Sequence, residues 1–373
     1  MPSSSDPLSS LRDSLAEIDR ALLEHLRRRM ELAAEIGRIK TETDRPIVVR
    51  DVEDRVLTRA RQYAEACGVS EEVMESVFQA IIRGSVERQY RVGISLRQQK
   101  HGDKMLIVGG AGGMGAWFRG FLGLLGHGAD VVDPSLATMP GAPGRFRSLE
   151  KIDDLDDYSA ILVSVPLGRT AEVVAELVER RPKVPIIEIA SIKSPLTGVL
   201  DEARAAGVRV YALHPMFGPG KSYYETLTFV LAAQGDILEE KQWMTGFLAH
   251  PYTRLVAVPF PHHDRLMGWL LGLAHLNNIL FGATLTRSGV DAAELHSCAS
   301  TTFTRQATTA LYVLNENPDL YLDIQHLNPH RIEVYAAARE ALAEIESLVE
   351  NHDREGFRQS MDAARRMLLG EEI

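Results

Sequence analysis

Cysteine is almost missing from this chain of 373 residues. Cys67 and Cys298 stand far apart with no motif around either, which excludes a disulfide framework and a cysteine-ligated zinc site. Aromatic residues make up only 6%, and no run approaches the ~18 uninterrupted apolar residues that a membrane span needs. The start, MPSSSDPLSS, lacks the basic-then-apolar order of a signal peptide, so a cytoplasmic protein with no membrane partner is expected. Positive charge is also short: the formal net charge is -10, and because residues 1–100 hold 17 residues of each sign, the whole acidic excess lies beyond them. Such a surface repels phosphate backbones, so nucleic acid is not expected as a partner. What is present is ordinary globular material, 45% hydrophobic and 25% charged, in a length that suits two or three domains.

Leu11, Leu15, Ile18, Leu22, Leu26, Met30 and Ala33 recur at three- and four-residue spacing and predict one long amphipathic helix, uninterrupted until Gly37. Thr41 to Pro46 should break it, with further helices at Asp51 to Cys67 and Glu71 to Arg91. Three helices of this size hold little core, so association with another copy or the next domain is expected. From Met105 the pattern becomes short apolar runs, MLIVGG, VVD, AILVSVP, PIIEIAS, RVYALHP and TFVLAA, between helical stretches, which predicts an α/β parallel sheet. After Pro261 only helices are expected, at Leu266 to Leu285, Ala292 to Leu314 and Ile332 to Val349. The predicted division is therefore a helical domain over 1–95, an α/β domain over 103–259 and a helical domain over 260–373.

The strand Met105 to Val108 runs directly into Gly110-Ala111-Gly112-Gly113-Met114-Gly115 and a helix. Strand, GxGxxG and helix in that order mark a Rossmann-type dinucleotide site. Gly110 would permit the tight turn, Gly112 the approach of backbone N–H groups to a pyrophosphate, and Gly115 close helix–strand packing. Asp133, 23 residues after Gly110, would accept hydrogen bonds from the adenosine ribose and repel a 2'-phosphate, which favours NAD over NADP. A second signal lies at the end of RVYALHP, where His214 enters a proline-stiffened loop at the carboxyl edge of the sheet. Ser191 and Lys193 follow the neighbouring strand to the same edge, as reacting groups or as a helix cap and a solvated charge.

ALHPMFGP around His214, ASIK at 190–193, VGGAGGMG, HDRLM at 263–267 and NPDLYLDI at 317–324 together resemble prephenate dehydrogenase. Arg12, Arg29, Lys40, Glu53, Ser85 and Gln89 on the N-terminal helices resemble the compact helical chorismate mutase. Their order resembles the bifunctional chorismate mutase/prephenate dehydrogenase family of tyrosine biosynthesis across essentially the whole chain.

The resemblance implies a mutase that rearranges chorismate to prephenate by a pericyclic step, and a dehydrogenase that oxidatively decarboxylates prephenate to 4-hydroxyphenylpyruvate with NAD. In the mutase, Arg12, reaching into a partner subunit, Arg29 and Lys40 would supply charge for two carboxylates. Lys40 and Gln89 would address the ether oxygen, Glu53 the hydroxyl, and Ser85 would line the site. In the dehydrogenase, a neutral His214 would accept a hydrogen bond from the 4-hydroxyl, Ser191 would orient it, and Lys193 would meet substrate. His275 would line a pocket for the substrate side chain or a tyrosine effector, in a homodimer joined through the C-terminal helices. Two positions depart from the family: Val52 stands where an arginine is usual, and Tyr312 where the arginine for the ring carboxylate is counted back from NPDLY. Arg305, two helical turns earlier, takes that role in our reading. These departures leave open a 4-amino-4-deoxyprephenate dehydrogenase, or a sensor that binds aromatic ligands and NAD without turnover.

Overall fold

The computed structural model describes residues 7–43, 45–47, 49–97, 103–136, 144–250 and 252–371. The first segment is three helices, α1 (Pro7–Glu42), α2 (Arg50–Cys67) and α3 (Glu71–Arg97). Gly37 does not end α1. A Cβ there would lie 2.5 Å from the Cα of Gln89, so the glycine lets α1 and α3 cross backbone to backbone. The first half of α1 is uncovered: Leu8, Leu11, Leu15, Ile18 and Leu22 are each more than half exposed.

The middle of the chain is β1 (Lys104–Val108), α4 (Gly113–Leu124), β2 (Gly128–Val132), β3 (Arg145–Phe146), β4 (Ala160–Val163), α5 (Thr170–Glu179), β5 (Ile186–Glu188), α6 (Thr197–Ala205), β6 (Val210–Pro215), β7 (Leu227–Ala233), α7 (Ile237–Phe247) and β8 (Thr253–Pro259). They form one sheet in the order β3-β2-β1-β4-β5-β6-β7-β8. Its strands read as continuous apolar runs because both faces are covered. Leu106, Val108, Ile161 and Val163 face the layer that holds α5 and α6, while Met105, Ile107 and Leu162 face Trp117, Phe118 and Phe121 of α4. The all-parallel expectation fails at one ladder: β7 runs antiparallel to β6, with His214 opposite Val230. β3 and β8 were not foreseen, the first for its two residues and the second because TRLVAVP is only half-buried.

A single helical run then goes from α8 (Phe260–Met267) through a π-helical turn at Gly268–Leu273 into α9 (Ala274–Leu285). By length and composition Phe260–Leu285 could cross a membrane. Its polar residues argue otherwise, because His263, Asp264 and Asn278 are buried and hydrogen-bonded within the protein. The helix predicted over 292–314 is two, α10 (Ala292–Ser297) and α11 (Thr301–Leu314), divided where the Ser300 hydroxyl accepts from the Phe303 N–H and caps the second. α12 (Pro318–Leu327), α13 (Arg331–Glu350) and α14 (Arg354–Leu369) complete the chain.

Replacing Gly37 by Ala tests the α1–α3 crossing. The substitution gains about 1 kcal/mol of helix propensity, but overpacking against immovable backbone costs about 1–3 kcal/mol. Denaturant unfolding should therefore show a net loss of stability, and wild-type stability would contradict the crossing.

Candidate active sites

The glycine-rich turn after β1 lies at the point where the chain, having laid β2 and β3 on one side of β1, returns to lay β4 on the other. Ligands of open α/β sheets bind at such a switch point. The tight turn belongs to Gly109 rather than Gly110: Gly109 takes φ +83°, and a Cβ there would sit 2.2 Å from the Ser164 carbonyl oxygen. A Cβ on Gly110 would lie 2.6 Å from the Val131 side chain, and one on Gly115 2.2 Å from the Gly109 carbonyl oxygen, so neither position has room for a side chain. Gly112 precedes α4 in extended backbone, and Gly113 and Met114 form its first turn. Pro219 closes over Gly113, so a cradle remains at the helix N-terminus that side chains would fill.

Asp133 stands at the end of β2, where its carboxylate accepts from the N–H of Ala111 at 3.0 Å and of Ser135 at 2.9 Å. The Ser135 hydroxyl adds a third donor at 2.6 Å. Burial alone would raise its pKa, but the bonds from Ser135, Ala111 and Gly112 outweigh this and hold it below the usual carboxylate range. An ionised group beside the glycine turn is what a ribose diol requires.

His214 is buried at the end of β6, and the neighbouring β5 carries Ser191 to the same edge, half-buried. The Nδ1 of His214 lies 3.1 Å from Nε2 of His263, whose Nδ1 lies 2.7 Å from Asp264. Among the described residues, Nε2 of His214 has no partner. Burial, then the neighbouring His263 and Lys193, push the His214 pKa well below the ordinary imidazole value, so the ring is neutral at pH 7.

Lys193 is not where it was expected. Its ammonium is fully buried, 2.6 Å from Glu188 and 2.8 Å from the Leu213 carbonyl it donates to, so it braces the strand ends beneath His214 instead of meeting substrate. His263, Asp264 and Glu188 were missed as site residues. A His-Asp pair opening the helix after the last strand was visible, but nothing in spacing alone ties it to His214 across 49 residues.

His275 lies one domain further on, its ring edge-on to Tyr321 at 4.3 Å. Among the described residues its buried Nδ1 has no partner, and burial takes its pKa down to about 4. Arg305 and Tyr312 are both exposed on α11, and no ion pair among the described residues involves Arg305. The structure does not bring either to His214 within one chain.

In the N-terminal helices, α1 and α3 bring Arg29, Lys40, Ser85 and Gln89 into one region. Arg29 donates to the Ile81 carbonyl at 3.2 Å and to the Ser85 hydroxyl. Lys40 donates to the Ile47 carbonyl at 2.7 Å, and burial lowers its pKa while Glu53 opposes the shift. Gln89 is buried with its carbonyl oxygen unpartnered. Two half-buried cations, neither within ion-pair distance of a carboxylate among the described residues, mark a candidate anion site together with the Gln89 oxygen. Arg12 and Val52 are exposed and stand apart from it.

Two family models match the chain in succession. "Chorismate mutase type II" matches residues 11–90, and "Prephenate dehydrogenase, dimerization domain" matches residues 260–363. The T-protein of Enterobacter agglomerans is 28% identical over 355 residues, which cover 94% of this chain and 90% of that protein. A 4-amino-4-deoxyprephenate dehydrogenase of Streptomyces pristinaespiralis is 26% identical, covering 72% of this chain and 92% of its own. Among solved structures, prephenate dehydrogenase from A. aeolicus, in complex with hydroxyphenyl propionate and NAD+, superposes with TM-score 0.59 at 16% identity. It covers 72% of this chain and 98% of its own, and it shows the shared fold. A mutase model before the sheet, a dehydrogenase model after it and a T-protein aligned over 94% of the chain together support a bifunctional chorismate mutase/prephenate dehydrogenase.

Proposed function

We infer that the chain rearranges chorismate to prephenate in its N-terminal helices and then oxidatively decarboxylates prephenate to 4-hydroxyphenylpyruvate, with NAD, in tyrosine biosynthesis. The observation that carries the dehydrogenase reading is a buried, neutral imidazole with an unpartnered Nε2, at the sheet edge that also holds the dinucleotide cradle. The cradle of Gly110, Gly112, Gly113, Met114 and Gly115 would hold the pyrophosphate and Asp133 the ribose, and NAD supplies the hydride acceptor. His214 accepts a hydrogen bond from the 4-hydroxyl, which stabilises positive charge growing at C4; Ser191 orients that hydroxyl. In the mutase, the cationic groups of Arg29 and Lys40 hold the carboxylates of a compact conformer, so positioning and charge do the chemistry without a nucleophile.

The active form in this reading is a cytoplasmic homodimer. The uncovered leucines of α1 and the exposed Leu342, Ile345, Val349 and Leu368 of the C-terminal helices leave apolar faces that a second copy would cover. Arg12 then reaches the mutase pocket of that copy, and Arg305 and His275 serve the ring carboxylate and the side chain, His275 also as a tyrosine-effector position. The exposed Tyr312, where an arginine is usual, favours a second reading in which the para substituent is an amine, as the name of the Streptomyces relative suggests. Turnover measured side by side on prephenate, arogenate and 4-amino-4-deoxyprephenate separates the two.

His214→Asn should lower kcat for prephenate by a factor on the order of 10² to 10⁴ with KM little changed. Because protonated His214 cannot accept a bond and its pKa is depressed, wild-type kcat should fall only on acidification below the ordinary imidazole range near 6.5. That limb should disappear in the variant; a wild-type kcat there removes the mechanism. Arg305→Ala should instead raise KM with a smaller loss in kcat, and an unchanged KM moves the carboxylate site elsewhere. Asp133→Ala should weaken NAD more than NADP in steady-state kinetics, and equal losses would sever Asp133 from the ribose. Arg12→Ala should abolish chorismate turnover in a species that light scattering places at twice 41.3 kDa, with prephenate oxidation retained; a fully active monomer would contradict the dimer.

A further inference from the structure

We propose that Asp264 and His263 form a positioning pair that fixes the tautomer of His214, so that Nε2 meets the substrate hydroxyl as a bare acceptor. This rests on the reading of His214 given above and adds the reason why the ring is ready to perform that role.

The carboxylate of Asp264 accepts from the backbone N–H of Lys193 at 2.8 Å and of Ser194 at 2.6 Å, and also from the Ser194 hydroxyl. The backbone groups can only donate, so the oxygens facing them must carry lone pairs. Burial would raise the carboxyl pKa, but the bonds from His263, Ser194 and Lys193 outweigh it, and Asp264 is an anion. An anion cannot donate. The 2.7 Å contact to His263 therefore requires a proton on His263 Nδ1.

His263 is fully enclosed, and burial, opposed by Asp264, keeps the ring neutral. Neutral imidazole carries one proton, so Nε2 of His263 is an acceptor. Nδ1 of His214, 3.1 Å away, must then donate to it. His214 is neutral too, which leaves its Nε2 without a proton and aimed away from the pair. A free histidine side chain in water prefers the opposite tautomer, with the proton on Nε2, which would present a donor to a hydroxyl and lose the contact in the wrong sense.

The remaining polar groups packed around the pair agree with this assignment. On β5 and the loop beyond it, Glu188 and Lys193 neutralise each other, and Lys193 disfavours a charge on either ring. The Asn328 amide, after α12, donates to the Asp264 carbonyl at 2.8 Å and fixes the turn of α8 that carries both residues. Acidification that protonates His263 places a donor against Nδ1 of His214 and reverses the chain. The acid limb of kcat therefore belongs to the coupled pair of rings.

The test uses the full chain with ¹⁵N-labelled histidine, the His214 resonances being assigned by their loss in His214→Asn. Wild type should show a protonated Nδ1 and a bare Nε2 on His214 at neutral pH. His263→Leu, which keeps bulk but removes the acceptor, should release that tautomer and lower kcat for prephenate on the order of 10², with KM little changed. His263→Gln, whose side-chain carbonyl can reach the place of Nε2, should recover at least about tenfold of the loss and shift the acid limb. A wild-type His214 with its proton on Nε2, or a His263→Leu variant with wild-type kcat, overturns the proposal. So does a loss in His263→Leu with the His214 tautomer unchanged, since it would assign His263 to packing alone. Circular dichroism and thermal unfolding of the full chain report whether each variant is folded; if His263→Leu fails that check, the wild-type spectrum decides. Wild type inert toward prephenate would defeat the functional reading, while the same spectrum still judges the tautomer.

Discussion

The reaction centre hangs on one buried ion pair. Lys193, without solvent exposure, lies between the carboxylate of Glu188 at the end of β5 and the carbonyl of Leu213, the residue before His214. Burial pushes the Glu188 pKa up and that of Lys193 down, and each charge opposes the shift of the other. Such a pair gains little net stability, because desolvating two charges costs about as much as their attraction returns. What it provides is placement. The second oxygen of Glu188 accepts from the Ala190 N–H at 2.8 Å, so one side-chain bridge sets the turn bearing Ser191 and the strand end bearing His214. It also leaves a positive charge beneath His214, one reason the imidazole stays neutral.

Around that bridge the physical roles divide by layer. Apolar packing on both faces of the sheet brings five parallel strands, β1, β2, β4, β5 and β6, to a common edge, and the close contacts at Gly109, Gly110 and Gly115 hold the nucleotide turn there. The antiparallel β7 then pairs with the end of β6, giving His214 a neighbour on its outer side and a frame for the following loop. In the N-terminal helices two missing side chains, at Gly37 and Gly93, let α1 lie against α3 at Gln89 and Thr41. Both centres therefore also depend on close backbone approach.

The parts of the fold written in local periodicity were legible: the long first helix, the buried strands and the strand-turn-helix of the nucleotide site. So was His214, because a proline-rich loop after an apolar strand marks its position. The break after α1 was read correctly at Thr41 to Pro46, but the role of Gly37 was not legible, since a glycine in a helix carries no local sign that it admits a neighbour. Lys193 was misread as a substrate group, since a lysine near a site is ordinarily solvated; only the distant Leu213 carbonyl and the nearby Glu188 reveal its burial. The His263–Asp264 pair was quoted as a motif without a role, because its partner lies in another domain and hydrogen bonds between domains leave no period to detect. Arg305 and Tyr312 lie on a surface whose meaning depends on what covers it.

The pairing of His214 with His263 also bears on how such a chain is inherited. His214 lies at the end of a strand of the sheet, whereas His263 and Asp264 belong to α8, the first helix after Pro259. A recombination between sheet and following helices would separate two halves of one hydrogen-bonded chain, so these parts are constrained to descend together. The hydrogen bonds of Arg29 and Lys40, by contrast, stay within the first three helices and the loop between them. The tie of these helices to the following domain is a cluster of Val86, Tyr90 and Tyr224, so losing them would break no bond of the His214 chain.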